Sequence, residues 1–135
     1  MSARDRRFFH YASSKVNSPV GGAQISPVET LRWRNDRIEM IDQRVLPARF
    51  DYLAYDSAQG VADAISSMVV RGAPAIGCAA AYGVALEASR LKDRPHAQFV
   101  SLMEQAFDIL AQSRPTAVNL FWALQRMRAV LDKIA

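Results

Sequence analysis

Two arginines share a setting that helix chemistry ordinarily disfavours. Arg71 opens the stretch RGAPAIG, and Arg114 follows Ser113 in SRPTAVNL. In both, a proline comes within three residues, suited to the first turn of a helix, where a missing N–H costs nothing. A cation there opposes the positive amino end of the helix dipole by about 0.3–1 kcal/mol, whereas an anion is attracted to it. Gly72 opens backbone conformations closed to other residues. Gly72 and Ala73 can then turn free N–H groups outward, and such groups with the dipole make an anion site. Arg71 would add a bidentate clamp suited to phosphate. In the second stretch Ser113 is a fitting cap and Pro115 a fitting first-turn residue. One dianion shared by two converging helix starts explains both arginines. On the residues alone, two solvated arginines at ordinary helix starts are the favoured explanation, since the dipole cost is small.

Other side chains offer less. Cys78 lies among alanines and reads as a small buried hydrophobe, with nothing nearby to lower its pKa. It is the only cysteine, so no intrachain disulfide is possible, which fits a reducing compartment. His10 and His96 lack partners at metal-ligand spacing and read as surface residues. Asn119 is placed to face an anion or to cap locally. Trp33, Trp122 and Tyr82 read most simply as core. The chain shows no Ser-His-Asp set, carboxylate pair or Walker-type loop.

The elements that must position these residues follow from hydrophobic period. LRWR and RIEMID alternate around Asn35-Asp36, which predicts a hairpin, and FDYLAY offers a third strand after Leu46-Pro47. From Ser57 the period becomes helical, with Asp56 or Ser57 as cap and Val61, Ala64, Ile65, Met68 and Val69 on one face. A second helix is expected from Pro74 to Arg90. Its many Ala and Gly residues predict a central, closely packed position. A third begins near Pro95, with Phe99, Leu102, Met103, Ala106, Phe107 and Leu110 inward. The fourth begins near Pro115, with Ala117, Leu120, Phe121, Leu124, Leu131 and Ile134 inward. The expected fold class is α+β: a small three-stranded antiparallel sheet followed by a helical bundle. Residues 1–29, rich in Ser, Pro and Gly, read as a flexible basic tail, and residues 30–135 as one domain.

The 135 residues are 50% hydrophobic and 22% charged, as in a globular protein, with no apolar run long enough for a membrane helix. The net charge of +4 is modest, and about half of it lies in the first 29 residues. The rest is too balanced for a nucleic-acid footprint. No secretory leader is evident, and a cytoplasmic location is expected.

RGAPAIG, then AAYGVALEA, then SRPTAVNLFWAL, together with LRWRNDRIEMIDQRVLPARFDYLAY, resemble the methylthioribose-1-phosphate isomerase family over roughly residues 30–135. The wider superfamily also holds ribose-1,5-bisphosphate isomerases and the regulatory subunits of translation initiation factor 2B. The resemblance implies an aldose–ketose isomerisation in methionine salvage, needing neither metal nor nucleotide cofactor, on a small sugar phosphate. It implies that Arg71, Gly72 and Ala73 form a phosphate-binding loop and that Arg114 is a second phosphate arginine. It places the catalytic cysteine and aspartate in a following Rossmann-like domain, expected beyond Ala135. Cys78 does not match that cysteine, so no residue of this chain takes a catalytic role. A homodimer is expected of the complete protein, and weak binding without turnover of these 135 residues alone. The alternatives are a ribose-1,5-bisphosphate isomerase, a non-enzymatic initiation factor 2B-like module, and a non-functional remnant.

Overall fold

The computed structural model describes residues 28–134 and, for the backbone alone, residues 10–12. Four strands form one antiparallel sheet: β1 (His10–Ala12), β2 (Leu31–Arg34), β3 (Arg37–Ile41) and β4 (Asp51–Tyr55), in the order β1-β4-β3-β2. The expected three-stranded meander is β2, β3 and β4. β1 is an addition to it, drawn from the segment read as a tail. β4 has only one partner within the meander, and a backbone ladder on its free edge needs no hydrophobic pattern from the strand that joins. The reading of residues 1–9 and 13–27 as flexible lies outside the described residues.

β2 and β3 meet at Asn35 and Asp36, with φ of 53° and 57°. Two consecutive left-handed residues make the tight turn whose twist suits a two-residue hairpin, and Asn and Asp tolerate that region well. Ile38 and Met40 of β3 point into the core, while Glu39 on the other face is buried by Arg32 of β2, whose Nε donates to its Oε1 at 2.7 Å. A short 3-10 turn, Gln43–Val45, begins at the buried Asp42, which binds the Arg44 guanidinium at 2.9 Å through both oxygens.

The helices are α1 (Ala58–Ser66), α2 (Ala73–Leu91), α3 (His96–Ser113) and α4 (Val118–Ile134). Ser57 caps α1, its Oγ accepting from the Gly60 N–H. α2 is the central helix, packed on α1, α3, α4 and the sheet. Its small residues make that possible. A Cβ on Gly83 would stand 3.1 Å from Leu110 Cδ2 and 3.3 Å from Val61 Cβ, so α1 and α3 close over it. Glu87, buried on α2, accepts from the Ala58 N–H at 2.9 Å and thereby caps α1 from a neighbouring helix, while its second oxygen takes Arg90. No described helix is long and apolar enough to cross a membrane.

α4 differs from its predicted start. Ser113 is the last residue of α3, Arg114 ends that helix with extended backbone (φ −148°, ψ 87°), and Pro115 lies in a turn closed by the Ala117 N–H on the Arg114 carbonyl. The Ser113 hydroxyl donates back to Leu110 rather than forward to a new helix. Several apolar assignments also change. Trp122 is 59% exposed and Cys78 is exposed, because Leu120, Ala123 and Leu124 are the α4 residues that turn inward. Phe121 and Ile134 are exposed as well.

Candidate anion-binding site

The approach to α2 is anchored before it reaches Arg71. After α1, Met68 takes a left-handed turn (φ 68°), and the Val69 N–H returns to the Ala64 carbonyl at 2.9 Å. Val69 and Val70 are buried, and the Val69 carbonyl accepts from the Gln43 N–H, tying the loop to the end of β3. Arg71 then leaves the core for solvent. Gly72 is the residue before the helix, with φ of 91°, a conformation that L side chains rarely adopt. Its carbonyl accepts from the Ile76 N–H, which starts α2, and no side chain caps this end. Pro74 has no N–H, so Ala73 and Ala75 carry the first free donors of α2. A Cβ on Gly72 would meet nothing within 4 Å. The amino end of α2 is therefore open, uncapped and flanked by an exposed guanidinium.

Arg114 sits on the neighbouring segment between α3 and α4 and is half-buried. The Ser66 hydroxyl, at the end of α1, donates to the Ser113 carbonyl at 3.1 Å, linking the end of α1 to the end of α3. The second turn of α2 also touches the first turn of α4. A Cβ on Gly77 would lie 3.1 Å from the Asn119 carbonyl oxygen. Thus the structure brings the two helix starts together, with Arg114 in the turn before α4 and not inside its first turn. Neither the Arg71 nor the Arg114 side chain has a hydrogen-bond or ion-pair partner among the described residues. By contrast, the three buried carboxylates, Glu39, Asp42 and Glu87, are each held by an arginine. The Asp42 bond raises the pKa of Arg44, and the Glu87 bond raises that of Arg90. These acids serve the fold.

From the two helix starts an apolar groove of about 360 Å³ runs between α2 and α4, with Pro74, Gly77 and Cys78 on one side and Asn119, Trp122 and Met127 on the other. Sequence reasoning missed this groove, because it placed Cys78 and Trp122 inside. Arg126 lies over the Trp122 ring at 5.1 Å. Tyr82 is half-buried and meets the partly exposed Trp33 of β2 at 6.0 Å between ring centroids. His96 is exposed at the start of α3, and the side chain of His10 lies outside the described residues. Among the described residues no group of three or more His, Cys, Asp or Glu could hold a metal.

A small antiparallel sheet feeding a bundle whose central helix begins with an open anion-type end defines a class. Residues 69–134 match the model of the Initiation factor 2 subunit family. The chain is similar in sequence to methylthioribose-1-phosphate isomerases. It is 68% identical over 105 residues to that of Albidiferax ferrireducens, covering 78% of this chain and 30% of the relative. It is 52% identical over 110 residues to that of Methylococcus capsulatus, covering 82% and 31%. The crystal structure of 5-methylthioribose 1-phosphate isomerase from Pyrococcus horikoshii OT3 aligns with a TM-score of 0.74 at 44% identity, over 77% of this chain and 29% of that one. The translation initiation factor eIF-2B subunit delta from A. fulgidus aligns with a TM-score of 0.71 at 36% identity, over 78% and 31%. The chain thus spans about 30% of the length of the curated relatives it matches.

Proposed function

We propose that the chain is the phosphate-binding, N-terminal part of an S-methyl-5-thioribose-1-phosphate isomerase, which converts 5-methylthioribose 1-phosphate to 5-methylthioribulose 1-phosphate. The observation that carries the reading is the uncapped start of α2, where Gly72 at φ 91° leaves open space in front of free N–H groups and an unpartnered Arg71. The substrate phosphate sits there, taking N–H donors at Ala73 and beyond, a bidentate bond from Arg71 and a second charge from Arg114. Such contacts hold the sugar by the group that does not react. The proton movement between C1 and C2 needs groups outside these residues, so catalysis belongs to the complete protein, a cytoplasmic homodimer in this reading. The identity of 68% to a methylthioribose-1-phosphate isomerase supports the methylthio sugar over ribose 1,5-bisphosphate and over a non-enzymatic module.

The test is an NMR titration of the chain with methylthioribose 1-phosphate and ribose 1,5-bisphosphate, using Arg71→Ala and Arg114→Ala as controls. Saturable shifts at residues 71–75 and 114–119, weakened at least tenfold in each variant and tighter for the methylthio sugar, are expected. Binding that survives both substitutions would remove the phosphate from this place.

A further inference from the structure

A second cleft, of about 420 Å³, lies where the turn between α2 and α3 meets the last turns of α4. Its rim carries the exposed Lys92, Arg94, His96 and Ile134, and its floor the half-buried Phe99 and Leu131. None of the three basic side chains has a hydrogen-bond or ion-pair partner among the described residues. Elsewhere Arg32, Arg44, Arg49, Arg90 and Arg128 each hold a carboxylate. The acids nearest in sequence, Asp93 and Asp132, do not line the cleft. Phe99 and Leu131 pack against the core, while Ile134 stands 76% exposed at the edge.

Rim and floor ask for different things of one ligand. Two cations, one a guanidinium, with the His96 imidazole on the same cleft, suit a dianionic phosphate better than a single carboxylate. The apolar floor gains only from hydrocarbon removed from water. An inorganic ion would use the rim alone, and a neutral hydrocarbon the floor alone. The size falls within the roughly 300–1,000 Å³ of small-molecule sites. We propose that this cleft binds a small organic phosphate monoester, its phosphate held by Lys92, Arg94 and His96 and its aromatic or branched-alkyl group laid on Phe99, Leu131 and Ile134. The site is separate from the start of α2, since neither Arg71 nor Arg114 lines it.

Phenyl phosphate is the probe, titrated by NMR into the Arg71→Ala/Arg114→Ala chain so that the sugar-phosphate site is disabled. Expected are saturable shifts confined to residues 88–99 and 131–134. Inorganic phosphate and benzyl alcohol should each bind at least tenfold more weakly. Lys92→Ala/Arg94→Ala, at exposed positions, should weaken phenyl phosphate at least tenfold, and Ile134→Ser about threefold. Inorganic phosphate binding as well as phenyl phosphate would overturn the proposal, as would indifference to Lys92→Ala/Arg94→Ala. So would shifts elsewhere, no binding by the folded chain, or co-sedimentation with phosphatidic acid vesicles without phenyl phosphate binding. Failure here leaves the sugar-phosphate reading intact, because that reading is tested through Arg71 and Arg114.

Discussion

Gly72 separates two costs that a substitution usually confounds. Its φ of 91° penalises any side chain, yet a Cβ there would touch nothing. Gly72→Ala should therefore lower stability by about 1 kcal/mol through backbone strain alone, read from urea unfolding. Any larger loss in phosphate binding by the same variant would report reorientation of the first N–H groups of α2. Tyr55 gives a second residue-scale prediction. Burial pushes its phenol up from 10.0 to about 12, with Arg44 opposing and Asp42 and Asp63 assisting. Folding favours the neutral phenol, so its contribution is complete below pH 10 and is lost as pH rises towards 12. Tyr55→Phe should flatten the alkaline fall in stability over that window, measured by denaturant midpoints at successive pH values. An unchanged slope would mean that another group drives it.

Between elements, glycines and one glutamate set the packing. Gly77→Ala drives a Cβ against the backbone oxygen of Asn119, which has no rotamer to yield. Overpacking of about 1–3 kcal/mol then outweighs a helix-propensity gain of about 1. Gly83→Ala meets the movable end of the Leu110 side chain at 3.1 Å and Val61 Cβ at 3.3 Å, so it should cost less than Gly77→Ala in the same urea series. Glu87→Ala leaves the buried Ala58 N–H without its acceptor and should cost about 2 kcal/mol, with Glu87→Gln milder because an amide oxygen still accepts. The hairpin was legible because Asn35-Asp36 dictates its own turn, and α1 and α2 because Ser57 and the Gly72–Pro74 stretch mark their starts. The start of α4 was not. Ser113, Arg114 and Pro115 look like a helix start, but Ser113 completes α3, and the turn from Arg114 to Ala117 intervenes. Cys78 and Trp122 were misplaced for a different reason. Whether an apolar stripe on α2 is covered depends on how α4 sits, and periodicity within one helix carries no information about its neighbour.

On the scale of the whole molecule, the three buried carboxylates, Glu39, Asp42 and Glu87, are each committed to an arginine and are poorly suited to act as a base at the proposed phosphate site. The isolated chain should accordingly bind methylthioribose 1-phosphate without converting it, followed by NMR of the ligand over hours. Measurable product would place a proton-transferring group among these residues. The site geometry is also fixed by a contact that side-chain motion cannot relax, Gly77 against the Asn119 carbonyl. Backbone against backbone works as a rigid gauge. A ligand spanning the proposed arginines would find its spacing set in advance and would have few residues to order on arrival. Calorimetry should then return a heat-capacity change near zero, because almost no apolar surface leaves water when the anion docks.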